Sequence, residues 1–295
     1  MIVISGARRD DGDEEPCVVY RSDGTVGFIE LNRPRRRNAL SADVLVAFHA
    51  ALDQFAADVH ARVAVLSGRG PTFCAGFDLS RDSASVQSTA ADPWSDRARL
   101  RRWVELGLRI WEFPRPIIAQ IHGHCLAGGI MLALCSDIVF ISDDCVVGWA
   151  RLPMGAGFLD GAMSHVVGAR RAKEISFLVG SRITGRDAAD WGFANRAIAP
   201  ELLEREAHAY ARRLARTPRN VLEVRKAAIT RVNAGFREAL LAGVEWDALA
   251  HVDRDVLDFR RLVRDHGMAN VIEAFENTDD PFAALEADRK PDRAP

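Results

Sequence analysis

The stretch HGHCLAGGIMLALCSDI, residues 122–138, decides the fold of this chain. Its glycine pair, Gly128 and Gly129, opens an apolar helical pattern, and the apolar segment 116–121 just before it predicts a strand. Glycines at such a place let the backbone come close to another group. The stretch has neither the lysine of a phosphate-binding loop nor a GxGxxG pattern, so the usual nucleotide-phosphate motifs are absent from it.

A second glycine turn, FCAGFDL at residues 73–79, follows another predicted strand at residues 62–67. Each turn places free backbone N–H groups at the end of a strand, and the turn at Gly128 also begins a helix. Two such donors facing each other would hold a developing oxyanion. Taken singly, either turn is as readily explained as a purely structural feature.

Composition limits the possible functions. The chain has 295 residues, 48% of them hydrophobic and 27% charged, and a net charge of -2, which is typical of a globular protein and argues against nucleic acid as a partner. No apolar run approaches the roughly 18 residues of a membrane span. The five cysteines form no CxxC pair, so we expect a reduced, cytoplasmic protein.

Periodicity predicts an α/β protein followed by helices. The pattern predicts a hairpin at residues 17–32, a helix at 41–59 capped by Ser41, and a helix at about 97–112. Residues 80–98 are polar and predict a long loop. Further segments predict strands and helices: a strand at 137–142 and, beyond Pro200, four helical patterns at 200–217, 218–232, 235–251 and 254–267.

The domain organisation follows from the change near Pro200, where alternating strands and helices give way to consecutive helical patterns. Residues 1–16 predict a disordered tail, residues 17–198 an α/β core, and residues 199–295 a C-terminal helical region. The order of strand, glycine turn, helix and strand indicates repeated ββα units. A Rossmann domain is disfavoured because its glycines would follow the first strand.

Four segments in sequence order resemble the crotonase (enoyl-CoA hydratase/isomerase) family. They are GFIELNRPRRRNAL (27–40), VLSGRGPTFCAGFDLS (65–80), PIIAQIHGHCLAGGIMLALCSDIVF (116–140) and GRDAADWGFANRAI (185–198). The resemblance implies an α/β spiral of ββα units with a C-terminal helical region, assembled as a homotrimer or a dimer of trimers. It also implies acyl-CoA thioesters as partners and an enolate-like oxyanion held by two backbone N–H groups.

The resemblance assigns roles to individual residues. It places the two N–H donors at Phe77 and Gly128. It places coenzyme A, as part of the substrate rather than as a separate cofactor, along two segments whose members are Arg35, Arg36, Arg37, Ala39, Ala75, Asp78 and Leu79. Guanidinium groups suit phosphate geometry, although the three arginines equally fit a solvated charged turn. Asp78 can equally brace its loop.

The departure from the family lies at the acid and base groups. The family's hydratases carry two glutamates where this chain has Met131 and Arg151, and neither side chain can act as a carboxylate acid or base. Some relatives use one aspartate from the segment just beyond, and that segment here offers Asp160 and His165. Asp160 can equally be the N-cap of the helix that follows it, accepting from the N–H of Ala162 or Met163.

The remaining candidates are assigned by their chemistry. Met131 and Trp149 are expected to line an apolar acyl pocket, while Arg151 would bind a carboxylate of the acyl group or pair with an acidic residue. His122 and His124 share a strand face but lack an evident third ligand, so no metal is expected.

These observations lead to two hypotheses. The first is a lyase or isomerase of fatty-acid metabolism that polarises a thioester carbonyl and carries out isomerisation, decarboxylation or hydrolysis rather than two-glutamate hydration. The alternative is a non-catalytic acyl-CoA-binding or partner protein that kept the thioester cradle.

Overall fold

The chain enters its main sheet through the predicted hairpin. A computed structural model describes residues 16–79, 92–155 and 157–287 of the protein. Strands β1 (Val18–Asp23) and β2 (Val26–Leu31) pair antiparallel, and Gly24 takes φ +59° in the turn between them. Of the predicted tail, only Pro16 lies within the described residues.

Helix α1 (Ala42–Ala57) follows the hairpin and confirms its predicted start. The Oγ of Ser41 accepts from the Val44 N–H at 3.4 Å, as an N-cap should. The apolar residues that recur at helical spacing, Val44, Phe48, Ala51, Leu52 and Phe55, are buried against the sheet.

Seven further strands complete two sheets. They are β3 (Val63–Gly68), β4 (Ile117–Ile121), β5 (His124–Leu126), β6 (Ile138–Ser142), β7 (Val146–Gly148), β8 (Arg182–Thr184) and β9 (Arg196–Ile198). The larger sheet has the order β1-β2-β3-β4-β6-β9 and is parallel from β2 onward. The smaller sheet, β5-β7-β8, pairs β5 with β7 in parallel.

Helices connect and cover these strands. A 3-10 turn at Pro34–Arg36 follows β2. The α-helices are α2 (Pro93–Trp111), α3 (Gly128–Leu134), α4 (Asp160–Val167), α5 (Ala169–Phe177), α6 (Gly185–Asp190), α7 (Pro200–Leu214), α8 (Arg219–Val232), α9 (Ala234–Ala250), α10 (Arg254–His266), α11 (Met268–Asn277) and α12 (Pro281–Ala287).

Helix α2 begins earlier than the predicted residue 97. Asp92 accepts from the N–H groups of Trp94 and Ser95, and Pro93 occupies the first turn, where its missing N–H does no harm. Residues 93–98, predicted as loop, are therefore helical. The rest of the predicted loop, residues 80–91, lies outside the described residues.

Both faces of the large sheet are covered. Ile29 and Leu31 of β2 pack into the main core with α1, whereas Val26 and Phe28 point to the opposite face and pack with α7. This alternation is what a strand buried on both sides requires. Helix α7, the first after Ile198, thus forms the layer that covers the second face of the sheet.

The later helices extend this arrangement. Lys226 of α8 forms a buried ion pair with Asp137 at 2.7 Å, just before β6. The predicted four C-terminal helices are α7 to α10, and two further helices, α11 and α12, follow within the described residues. Across the three described ranges, no helix combines the length and apolar character that crossing a membrane requires.

Candidate active site

The two glycine turns are in direct contact. Cys74 N–H donates to the His124 carbonyl, and Leu126 N–H donates to the Cys74 carbonyl, each at 3.0 Å. These bonds make an isolated parallel bridge between Cys74 and Cys125, so the first turn lies beside β5 and the start of α3. Segments 50 residues apart in the sequence therefore form one local structure.

The glycines are needed because the two turns touch each other. A Cβ on Gly129 would lie 2.9 Å from the Cβ of Cys74 and 3.0 Å from its carbonyl oxygen. Gly76 has φ +95°, and its Cβ would lie 3.1 Å from the Ala127 Cβ. The close approach predicted from the sequence is thus, in the first place, an approach of one turn to the other.

Phe77 and Gly128 carry backbone N–H groups that the described part of the fold leaves unused. On either side of Phe77, Leu40 N–H donates to the Gly76 carbonyl and Asp78 N–H to the Leu40 carbonyl, which accounts for the neighbouring groups. Gly128 is the first residue of α3, where an intrahelical acceptor is unavailable to the N–H. Neither N–H donates to any acceptor in the described part of the chain.

The Phe77 ring packs against two other rings. Its centroid lies 5.4 Å from that of Trp103 on α2 and 5.7 Å from that of Phe158, both edge-on. Trp103 and Phe158 are buried. We call Phe77, Trp103 and Phe158 the aromatic cluster.

Met131 belongs to the core beside this cluster. Its side chain is fully buried, and its Sδ and Cγ approach Gly107 of α2, 3.6 and 3.4 Å from where a Cβ would stand. Met131 is therefore packed rather than exposed to solvent, and its predicted place along an acyl group stays a prediction.

Asp160 is joined to Trp149 through a serine. Trp149 Nε1 donates to Ser176 Oγ at 3.2 Å, and that hydroxyl donates to Asp160 Oδ1 at 2.8 Å. The predicted N-cap role is wrong: Leu159 is the N-cap, Asp160 is the first residue of α4, and no side chain caps this helix. The Met163 N–H instead donates to the Leu159 carbonyl.

Arg151 pairs with an acidic side chain, one of its two predicted alternatives. Its Nε lies 2.7 Å from Glu276 Oε1 on α11, and its Nη2 contacts Oε2. Both side chains are exposed, and the pair is held at the C-terminal helices. A carboxylate on an acyl group would have to compete with Glu276.

The three arginines after β2 lie in the turn next to the first glycine turn. Arg35, Arg36 and Arg37 are exposed, and the described part of the chain gives them no ion pair. The Arg37 carbonyl accepts from the Ala75 N–H at 3.0 Å. Desolvation, together with the charges of Arg182 and Arg37, lowers the pKa of the nearby His124.

Asp78 braces its loop. It is buried, and its Oδ2 lies 3.0 Å from Arg33 Nη1, which also donates to the Ala39 carbonyl at 2.7 Å. Leu79, the next residue, is 48% exposed.

The histidines and cysteines singled out by the sequence do not gather into a further site. His122 Nε2 lies 2.7 Å from the Gly70 carbonyl, His124 is exposed, and His165 is exposed beside Phe236. Within the described residues, no group of three or more potential metal-ligating side chains occurs. All five cysteines are buried thiols, and burial raises the pKa of Cys74 to about 12.

Sequence reasoning missed a buried polar group between α2 and the C-terminal end of α9. Asp96 of α2 accepts from Arg99 and lies 2.6 Å from His251 Nδ1, and Asp247 lies 3.6 Å from His251 Nε2. A Cβ on Gly155 would meet His251 at 2.7 Å and Asp247 at 2.8 Å. No local signal announces this group, because its members come from distant segments.

Comparisons with known proteins identify the family of this chain. Residues 21–260 match the family model described as enoyl-CoA hydratase/isomerase. A crystal structure from Novosphingobium aromaticivorans, provisionally named enoyl-CoA hydratase/isomerase, superposes with a TM-score of 0.82 at 31% identity, covering 93% of this chain and 100% of that one.

Two sequence relatives carry different activity names. A Thermus thermophilus protein, provisionally named enoyl-CoA hydratase, is 31% identical over 226 residues, 74% of this chain and 88% of that protein. The peroxisomal Δ(3,5)-Δ(2,4)-dienoyl-CoA isomerase of Arabidopsis thaliana is 32% identical over 188 residues, 60% of this chain and 66% of that protein.

Proposed function

The chain belongs to the enoyl-CoA hydratase/isomerase family, and from this premise we propose that it is an enzyme that forms an enolate from an acyl-CoA thioester. The observation that carries the proposal is the pair of unused N–H groups of Phe77 and Gly128, on two turns in contact. Donors fixed before the reaction stabilise developing negative charge without reorganising. They would bind the thioester oxygen more tightly as it becomes the enolate oxygen.

Asp160 is the proposed base. Ser176 donates to its Oδ1, which orients the carboxylate, and Oδ2 receives no hydrogen bond from the described part of the chain. Phe158, two residues before Asp160, contacts the ring of Phe77, which supports placing Asp160 on the substrate side of the donors. Asp160 would take a proton from the carbon next to the carbonyl and return it at that carbon or a conjugated one.

Returning the proton at a different carbon is an isomerisation. Two-glutamate hydration is disfavoured because Met131 is buried and apolar and Arg151 is paired with Glu276. The names of relatives do not choose between these reactions, since they include both a hydratase and an isomerase.

Proton exchange tests this proposal without knowledge of the natural substrate. Butyryl-CoA is incubated with the protein in deuterated water, and loss of the signal of the proton next to the carbonyl is followed by NMR. Exchange well above the rate without protein is expected. Binding of butyryl-CoA without exchange would support the second candidate, a non-catalytic acyl-CoA binder, which the replacement of both glutamates favours.

We also propose coenzyme A phosphate contact at the Arg35–Arg37 turn, and a homotrimer or dimer of trimers in the cytoplasm. The first rests on three exposed arginines that have no ion pair within the described residues, with Arg37 hydrogen-bonded to Ala75. The assembly rests on family membership, and the compartment on five cysteines without a CxxC pair. Light scattering tests the assembly, for which a mass of three or six chains is expected.

A further inference from the structure

The side chain of Phe77, unlike its backbone N–H, packs against the neighbouring donor residue. A Cβ placed on Gly128 would lie 3.2 Å from Cε1 and from Cζ of the Phe77 ring. The end of the ring therefore lies against Gly128, the residue that carries the other proposed donor. The ring and the two N–H groups occupy one small region.

The ring is fixed there by its neighbours. Trp103 and Phe158 both meet it edge-on, and both are buried. Edge-on ring pairs stabilise their arrangement beyond the burial of area alone, which favours one ring position. The ring is thus part of a packed wall.

Helix α2 packs against Met131 as well as against the Phe77 ring. Trp103 and Gly107 are four residues apart and share one face of α2. Trp103 contacts Phe77, and Gly107 contacts Met131, which follows Gly128 by three residues in α3. The space on this side of the donors is filled by aromatic carbon and sulfur atoms.

We propose that the Phe77 side chain limits the length of the acyl group. The inference rests on the proposed function, because it takes the thioester oxygen to lie between the N–H groups of Phe77 and Gly128. An acyl group attached at that carbonyl begins next to the aromatic cluster. Short groups such as butyryl fit in front of the ring, and longer chains meet it.

Phe77→Ala tests this cleanly, because it removes the ring and keeps the backbone N–H. Affinities for butyryl-CoA, octanoyl-CoA and free coenzyme A are measured by isothermal titration. The wild-type protein is expected to bind octanoyl-CoA no more tightly than butyryl-CoA. The variant should favour octanoyl-CoA by about tenfold to a hundredfold, as expected when two or three of its four extra methylenes become buried. The wild-type protein and Phe77→Ala should have the same affinity for free coenzyme A.

Two further variants complete the design. Phe177→Ala makes the same change at a ring that is 77% exposed and should leave the octanoyl-to-butyryl ratio as in wild type. Phe77→Leu keeps more of the side-chain volume and should give an intermediate octanoyl-to-butyryl affinity ratio. It replaces Phe77→Ala in the test if that variant does not fold.

The outcomes separate the two proposals. A ratio unchanged in folded Phe77→Ala, or a wild-type protein that already prefers octanoyl-CoA tenfold, overturns the length limit and leaves the acyl-CoA function standing. A folded wild-type protein that binds neither thioester overturns both.

Discussion

His251 Nδ1 lies 2.6 Å from Asp96 Oδ2, across 155 residues of sequence. This contact joins the C-terminal end of α9 to the first turn of α2, the helix that contributes Trp103 to the aromatic cluster. Asp96 is 1% exposed and also receives two hydrogen bonds from Arg99. Burial acts to raise the pKa of Asp96, but the His251 hydrogen bond and the charge of Arg99 outweigh it and lower that pKa.

We therefore predict that Asp96→Asn destabilises the protein by about 3 kcal/mol at neutral pH, as expected when one partner of a buried charged group is removed. Because the folded pKa is lowered, the contribution of Asp96 is present above its unfolded pKa and is lost as pH falls through the folded value. The difference between variant and wild type should therefore shrink below about pH 4. Urea unfolding at both pH values measures it.

Asp92→Asn is the matched control for this prediction. It makes the same substitution at the exposed N-cap of the same helix, where asparagine caps almost as well as aspartate. Its effect should be much smaller. A loss from Asp96→Asn that is the same at acid and neutral pH would show that the carboxylate charge does not matter.

Hydration of crotonyl-CoA should be slow or absent. The two carboxylate positions hold Met131 and Arg151, and general acid–base groups typically contribute about 10²–10⁴-fold. The measurement is loss of absorbance of the conjugated thioester, beside a family hydratase with both glutamates as the control. Comparable turnover by the two enzymes would mean that another acid–base pair exists.

Coenzyme A affinity should fall with added salt, since exposed ionic contacts are screened. Replacing Arg35, Arg36 and Arg37 together with alanine should lower the affinity and flatten its salt dependence. The control changes the same charge on α7, through the exposed residues Arg205, Arg212 and Arg213. Equal affinities for the two triple variants would remove the Arg35–Arg37 turn from the site.

Asp160→Asn should reduce proton exchange in butyryl-CoA by about a hundredfold or more, because asparagine cannot take the proton. The amide oxygen can still accept from Ser176, so thermal stability should remain close to wild type. Asp190→Asn, at an exposed position at the end of α6, is the control. Exchange retained in Asp160→Asn would assign the base elsewhere.

Local patterns predicted the elements that local physics determines. The hairpin and α1 follow from alternation, helical spacing and the Ser41 cap, and the structure confirms them. The start of α2 was also encoded, in the Asp92-Pro93 pair, but the polar texture of residues 80–98 hid it. Strands of three residues, such as β5, show no usable period.

The candidate site likewise combines features that local sequence predicts with contacts between distant segments that it does not. The two glycine turns are visible in the sequence because glycine has a specific backbone use. The sequence does not reveal the partner of Arg151, because Glu276 lies 125 residues away. Nor does it reveal the contact between Asp96 and His251. The cap predicted at Asp160 is wrong because the helix begins at Asp160 itself, one residue earlier than expected, and Leu159 is its N-cap.

The central claim is that the Gly128 N–H polarises a thioester carbonyl, and proline can remove that one donor. Gly128 is the first residue of α3, where a helix tolerates proline. Gly128→Ala is the control, because it keeps the N–H and adds the same Cβ, which Leu40 must accommodate in both variants.

Difference infrared spectroscopy of a carbonyl-labelled butyryl-CoA, bound to each protein, reads the polarisation directly. The carbonyl stretch should lie at lower frequency in the wild-type and Gly128→Ala complexes than in water, and Gly128→Pro should lose about half of that shift, since one of two donors remains. Equal shifts in the folded proline and alanine variants would contradict the account.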